Sequence, residues 1–255
     1  MPRANIFDRV EHAVLPVLPG RAHELARLRA LHEQAGLSTV TVIGKYNHGK
    51  SRLLNELLGE DRFAVADRRE TTQLSVHVKD RVRWLDAPGL DADVDHADDR
   101  FARQAAWQQS DIRLFVHSAK EGELDGRERR LLQALSADAE ATRRQTLVVV
   151  SQVDQAGDDA QLHQVLGAIG QQAPGMPLHP ASATRHRQGI EGGKQLLIER
   201  SGIPALRAAL GRALGQVPQA RAHESAHLRN AMHQELLQHQ AALRAQCAGL
   251  LRSEE

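Results

Sequence analysis

The sequence predicts an α/β fold: three layers, with a mostly parallel sheet covered by helices on both faces and flanked by helices at either end. Three observations carry this. Short apolar runs alternate with helical periodicities between residues 37 and 215. A glycine-bearing turn at 44–51 joins the first of those runs to the first of those helices. The segment 216–255 has apolar residues at helical intervals and no strand signal.

Taken in order, residues 1–36 read as helix interrupted near Pro16 and Pro19. Ile6, Val10, Ala13 and Val14 share a face before the break; Leu25, Leu28 and Leu31 follow it, and Gly36 ends the second piece. Strands are expected at 38–43, 74–78, 82–85, 112–117, 146–151 and 177–180, and helices at 50–58, 97–108, 124–135, 158–169 and 203–214. The second and third strands, joined tightly around Asp80, are the expected antiparallel exception. From 219 to 252, Leu228, Met232, Leu236, Leu243, Cys247 and Leu250 define one helical stripe, with Cys247 packed on it as a small hydrophobe. One helix cannot bury such a stripe alone, so it is expected to pair with the N-terminal helices or another molecule. The chain thus divides into a helical segment 1–36, an α/β domain 37–215 and a C-terminal helix 216–255.

Composition narrows the function classes. Of 255 residues, 41% are apolar and 25% charged, which excludes wholesale disorder. Lys and Arg number 33 against 32 Asp and Glu, a balance that argues against a nucleic-acid binder. A single cysteine forbids an intrachain disulfide, and no apolar stretch has the length of a membrane span. A cytoplasmic protein is expected, reaching a membrane only peripherally through a partner.

Gly44-Lys45-Tyr46-Asn47-His48-Gly49-Lys50-Ser51 fits GxxxxGK[ST] at every fixed position, with an apolar strand before it and a helix after it. The glycines let successive backbone N–H groups wrap a phosphate at a helix N-terminus, where the helix dipole favours anions. Lys50 reaches the β and γ phosphates, and the Ser51 hydroxyl ligates Mg2+. Gly44, Tyr46, Asn47, His48, Gly49, Lys50, Ser51 and Arg52 form the expected phosphate-binding set.

Asp86-Ala87-Pro88-Gly89 follows a strand and matches DxxG. Asp86 is expected to hold the metal's water shell, and Gly89 to donate its N–H to the γ-phosphate, a hydrogen bond that hydrolysis breaks. Between the two motifs, Thr72, preferred over Thr71, is the expected Mg2+ ligand that engages only when the γ-phosphate is present. The acidic run 91–99 reads as a solvated part of the second switch. Lys50, Thr72 and Gly89 make up the expected catalytic set.

Ser151-Gln152-Val153-Asp154 stands where an [NT]KxD element belongs. The Asp154 carboxylate can accept both guanine N1–H and N2–H2, an interaction adenine cannot supply. Ser151 and Gln152 depart from that pattern. Ala181-Ser182-Ala183, after a short strand, is expected to give a backbone N–H to the guanine O6, so Gln152, Asp154, Ser182 and Ala183 complete the nucleotide site.

These five elements, in order over 38–215, resemble the P-loop NTPase G domain of the translation-factor-related GTPases. The run from Lys45 to Gly59, Thr71-Thr72 and Asp86 to Leu90 are similar to the Era-like and bacterial dynamin-like branches. The resemblance implies a Mg2+-dependent GTPase that converts GTP to GDP and phosphate and acts as a switch. It implies that Leu90, in the place of a water-orienting glutamine, leaves hydrolysis slow. It also implies that Asn47 helps bind K+ and that pairing of G domains in a homodimer, or binding of a partner protein, raises turnover. The residues after 214 show no α/β pattern, so neither an RNA-binding module nor a long stalk is expected in them. The alternative reading is a nucleotide-gated scaffold with little hydrolysis. His223 and His227, at i and i+4 on the last helix, have no acidic third ligand near them in sequence and read as exposed histidines.

Overall fold

The computed structural model describes residues 6–64, 75–87 and 105–253. Six strands form one sheet in the order β2-β3-β1-β4-β5-β6. β1 (Ser38–Ile43), β3 (Val82–Asp86), β4 (Ile112–Ser118), β5 (Gln145–Ser151) and β6 (Leu178–Pro180) run parallel. β2 (Ser75–Lys79) pairs antiparallel with β3, as expected. Its two turn residues, Asp80 and Arg81, both have positive φ, the backbone a two-residue hairpin needs to match strand twist.

Strand alternation sets the layers. Val40, Val42, Ile112, Leu114, Val116, Leu147 and Val149 face α3 (Lys50–Leu58) and the start of the last helix, burying Leu53, Leu54, Leu57, Ile203, Leu206 and Leu210. On the other face Ile43, Phe115, Val148 and Val150 pack under Leu132 and Leu135 of α4 (Gly126–Thr142) and Ile169 of α5 (Asp159–Gln172). Both faces are covered, which is why these strands read as continuous apolar runs.

Several elements depart from expectation. α4 starts later and runs further than 124–135, because Asp125 and Glu128 form a capping box. Two helices were not anticipated: α6 (Ala183–Glu191), capped by Ser182, and α7 (Gln195–Arg200). They pack so closely that a Cβ on Gly189 would lie 2.7 Å from Ile198 Cγ1. Of the helix expected at 97–108, residues 97–104 lie outside the described residues; Ala105–Gln109 is a short π-helical turn before β4.

The helices expected at 203–214 and 219–252 are one, α8 (Ile203–Ser253), with Pro218 inside it. The expected boundary at 215/216 therefore falls within a helix. Pro218 is exposed, and its missing N–H removes one hydrogen bond from the helix. Beyond Pro218, Leu228 and Met232 pack on Leu25 and Leu28 of α2 (Ala22–Glu33) and on Val14 and Leu15 at the end of α1 (Ile6–Val14). The stripe pairs with the N-terminal helices only that far. Leu243 is 59% exposed and Cys247 is exposed, a correction to the packed cysteine expected.

A buried charge network fastens α2 and α8 to the foot of the sheet. Arg27 and Arg221 meet Asp111, which precedes β4, and Glu224 lies between Arg27 and Arg144. Among the described residues no helix is long and apolar enough to cross a membrane.

Candidate functional site

The glycine-bearing loop leaves β1 at the C-terminal edge of the sheet and delivers its backbone to the start of α3. Gly44 has φ 151°, and a Cβ there would stand 2.2 Å from the Val116 carbonyl oxygen, so no side chain fits. Asn47 and Gly49, at φ 58° and 78°, turn the loop onto the helix. The buried Lys50 donates from Nζ to the Lys45 carbonyl oxygen at 2.8 Å, folding its ammonium back over the loop.

Ser51, in the first turn of α3, donates from Oγ to Asp86 Oδ2 at 2.5 Å. Asp86 ends β3 and is 2% exposed. Burial pushes its carboxyl above the ordinary aspartate value, against the opposing pull of Ser51 and Lys50. Its Oδ1 is buried with no hydrogen-bond partner. A hydroxyl and a carboxylate thus converge beside a buried ammonium. Such hard oxygen donors suit Mg2+, and the orphaned Oδ1 has room in its bonding for a metal-bound water.

β5 ends at Ser151, and the turn that follows carries Gln152 and Asp154. Ser151 Oγ lies 2.7 Å from the His48 carbonyl oxygen and 3.1 Å from that of His117. Gln152, at φ 55°, donates from Nε2 to the Asn47 carbonyl oxygen at 2.8 Å and accepts from Ser118 Oγ at 2.6 Å. The two departures from [NT]KxD therefore still lock this segment to the phosphate loop. Gln152 also lies over Gly49, where a Cβ would come 3.5 Å from its Nε2. Asp154 sits in the 3-10 turn Val153–Gln155 with a buried Oδ1 that has no hydrogen-bond partner.

In the 181–183 tripeptide, Ala181 N–H is committed to Val150 O and Ser182 N–H to Ser201 O, both at 2.8 Å. Ser182 Oγ caps α6 by accepting from Arg185 N–H. Ala183, the first residue of α6, has no intrahelical acceptor for its N–H and is the group left for a base oxygen. Tyr46 is half-buried with its hydroxyl unpartnered, and the exposed Arg52 donates to Thr184 Oγ1 at 3.4 Å. The His48 imidazole is wholly buried behind the loop, against Val116 and Glu121, so only its backbone is placed to meet a phosphate. Thr71, Thr72, Gly89, Leu90 and the run 91–99 lie outside the described residues.

Sequence reasoning missed the layer behind the loop: Lys45, His117, Ser118, Glu121 and Glu128. They come from the loop, a strand end, a 3-10 turn and a helix, so no spacing announces them. The only signal was local, the Asp-x-x-Glu capping pattern at Asp125 and Glu128.

Residues 39–152 match the model of a family described as 50S ribosome-binding GTPase. An uncharacterized protein of Acinetobacter baylyi is 59% identical over 92% of this chain and 56% of its own length. GTPase Era of Acidimicrobium ferrooxidans is 38% identical over 38% of this chain and 36% of its own. The chain thus spans little more than half of one curated relative and about a third of the other. Among solved structures, one titled as an oligomerised bacterial dynamin pair matches the fold over 97% of this chain and 48% of its own, with TM-score 0.61 at 14% identity. The family match at 39–152 spans the phosphate loop and the Ser51–Asp86 pair, so this part of the chain is similar to the GTPase domains of that family and of Era, while the likeness to the dynamin structure is one of fold.

Proposed function

We propose that the protein is a cytoplasmic Mg2+-dependent GTPase that hydrolyses GTP to GDP and phosphate and uses the cycle as a switch. The observation that carries the reading is the convergence of Lys50, Ser51 and Asp86 at the phosphate loop, with the Asp154 Oδ1 left without a hydrogen-bond partner in the segment that Gln152 ties to that loop. The loop amides and Lys50 bind the phosphates, Ser51 and Asp86 hold the metal, and Asp154 with the Ala183 N–H reads guanine. Mg2+ held by Ser51 and Asp86 would supply charge neutralisation to the phosphates. Thr72 and Gly89 are assigned to sensing the γ-phosphate, and their release on hydrolysis relaxes the switch segments.

The G domain is taken as 37–215, with the 1–36 and 216–255 helices as its output. The fold likeness to a bacterial dynamin, which extends over those helices, supports the last assignment and supports activation by pairing of two copies or by a partner protein. K+ held with the help of Asn47 is the proposed counter-charge in place of an arginine supplied by a partner. Single-turnover hydrolysis across a series of protein concentrations, in KCl and in NaCl, tests the whole. A rate that climbs with concentration and with K+ is expected. GTP binding without hydrolysis in any condition would instead favour a nucleotide-gated scaffold.

A further inference from the structure

Behind the phosphate loop lies a cluster that the nucleotide reading does not use. His48, His117 and Glu128 are all buried, and one ligand atom from each lies within 4.8 Å of the other two. They come from three separate elements: the phosphate loop, the end of β4 and the first turn of α4. We propose that these three residues form a binding site for a divalent transition metal of the Zn2+ class.

The Nδ1 atoms of both rings lie near the same carboxylate oxygen, and that of His48 is also within hydrogen-bond distance of the Val116 carbonyl oxygen. His117 Nδ1 is 2.8 Å and His48 Nδ1 3.8 Å from Glu128 Oε1. Those distances bracket the separation of about 3.3 Å between two ligands of a tetrahedral ion with metal–ligand bonds near 2.0–2.1 Å.

The outer atoms are already provided for. With metal on Nδ1, each imidazole keeps its proton on Nε2, and that N–H needs an acceptor. His117 Nε2 has the Gly122 carbonyl oxygen at 3.0 Å, and His48 Nε2 has Glu121 Oε1 at 2.9 Å. Glu128 is oriented likewise: its Oε2 accepts the Asp125 N–H at 3.0 Å and faces Lys45 Nζ at 3.4 Å, which leaves Oε1 for a ligand. The Val116 carbonyl oxygen, 3.1 Å from His48 Nδ1, stands close enough to approach a fourth position.

Charge agrees with geometry. Lys45 faces three carboxylates, Glu121, Asp125 and Glu128, so with neutral imidazoles the cluster has two negative charges in excess. One divalent ion offsets them. Two imidazoles and one carboxylate select Zn2+, Co2+ or Ni2+ over Mg2+ or Ca2+.

The test uses tag-free protein in excess Mg2+ and GDP, titrated with Co2+ and then Zn2+. Wild type is expected to show one equivalent of the intense visible absorption of tetrahedral Co2+, displaced by Zn2+, and a Zn2+-dependent rise in melting temperature. His117→Gln and Glu128→Gln should abolish the band. Glu121→Gln, an outer partner on a half-exposed side chain, should weaken binding about 10- to 100-fold. His227→Ala and Ser51→Ala should leave the band intact, which separates this site from the C-terminal histidines and from the Mg2+ ligands. Should the buried variants fail to fold, the wild-type melting shift and Glu121→Gln still decide. No band and no shift in wild type, or a band indifferent to all three cluster variants, would overturn the site and leave the cluster held by protons alone. Because neither readout requires GTP turnover, failure here is distinct from failure of the GTPase reading.

Discussion

Arg27 on α2 and Glu224 on α8 meet in a two-point ion pair, Nε to Oε1 at 2.9 Å and Nη2 to Oε2 at 2.8 Å, with both side chains almost fully buried. Residues 197 positions apart are thereby joined directly behind the start of β4. Glu224 also lies 3.3 Å from Arg144 Nε, while Arg27 and Arg221 share Asp111. Four arginines (Arg27, Arg113, Arg144 and Arg221) face three carboxylates here, so losing one carboxylate leaves buried positive charge uncompensated. Glu224→Ala is expected to cost about 3–5 kcal/mol in urea denaturation. Exchanging the pair together, as Arg27→Met with Glu224→Leu, should recover much of that loss. A single variant as stable as wild type would show that the pair does not fasten the helices.

The same network predicts an acid response. Burial alone would raise the Asp138 carboxyl, but the charges of Arg113 and Arg144, which it meets at 2.7 and 2.5 Å, hold it below the ordinary aspartate value. A carboxyl depressed in the folded state contributes its full stability above its unfolded value of 3.8 and loses it as the pH falls through the folded one. Asp138→Asn should therefore be costly near neutral pH, by about 3 kcal/mol, and less so at pH 3, where the unfolded carboxyl is already largely protonated. Denaturation midpoints of both proteins at the two pH values measure this. An equal cost at both would assign the loss to packing and leave the ion pairs with no part in it.

How far the sequence discloses this molecule follows from where its signals are local. Every strand stands within two residues of its expected place, because a run such as Thr146 to Val150 is apolar whether or not its neighbours are known. The phosphate loop and Asp86 are likewise contiguous motifs whose chemistry lies in their own residues. The single helix α8 was read as two pieces, and their join holds Pro218 at an exposed position. Helices α6 and α7 were invisible because their packing rests on Gly189, whose missing side chain leaves no periodicity to read. Ser151 and Gln152 look like losses in the sequence and become substitutes only once Asn47, His48 and Ser118 are placed against them.

Close approach of two strands makes Gly44 the least replaceable residue of the loop. Any Cβ there meets the Val116 carbonyl at 2.2 Å, and backbone of β4 cannot yield as a flexible side chain would. Gly44→Ala is expected to lower stability by about 3 kcal/mol or more, through strain at its φ as well as the clash. Gly36→Ala is the control, because nothing stands within 4 Å of its added methyl. It should change stability by no more than about 0.5 kcal/mol. Thermal melts of the two variants side by side would refute the assignment if they agreed.

Base recognition offers the most specific prediction. Asp154 presents a buried, unpartnered Oδ1, and a carboxylate can accept from both guanine donors at once. In Asp154→Asn one oxygen becomes an amino group, which faces the guanine amino group donor to donor. The loss of one charge-assisted hydrogen bond, about 1.5–3 kcal/mol, should weaken GDP about 10- to 100-fold. Xanthine has an oxygen where guanine has its amino group, so the new amide should bind xanthosine diphosphate better than wild type does. Gln152 touches Asn47 and Ser118, both away from Asp154's own turn, and so leaves this exchange to Asp154 alone. Equilibrium binding of labelled GDP and XDP to both proteins, with Mg2+ present, measures the exchange. Unchanged GDP affinity in the variant, with no gain for XDP, would remove Asp154 from the base pocket and with it the guanine selectivity.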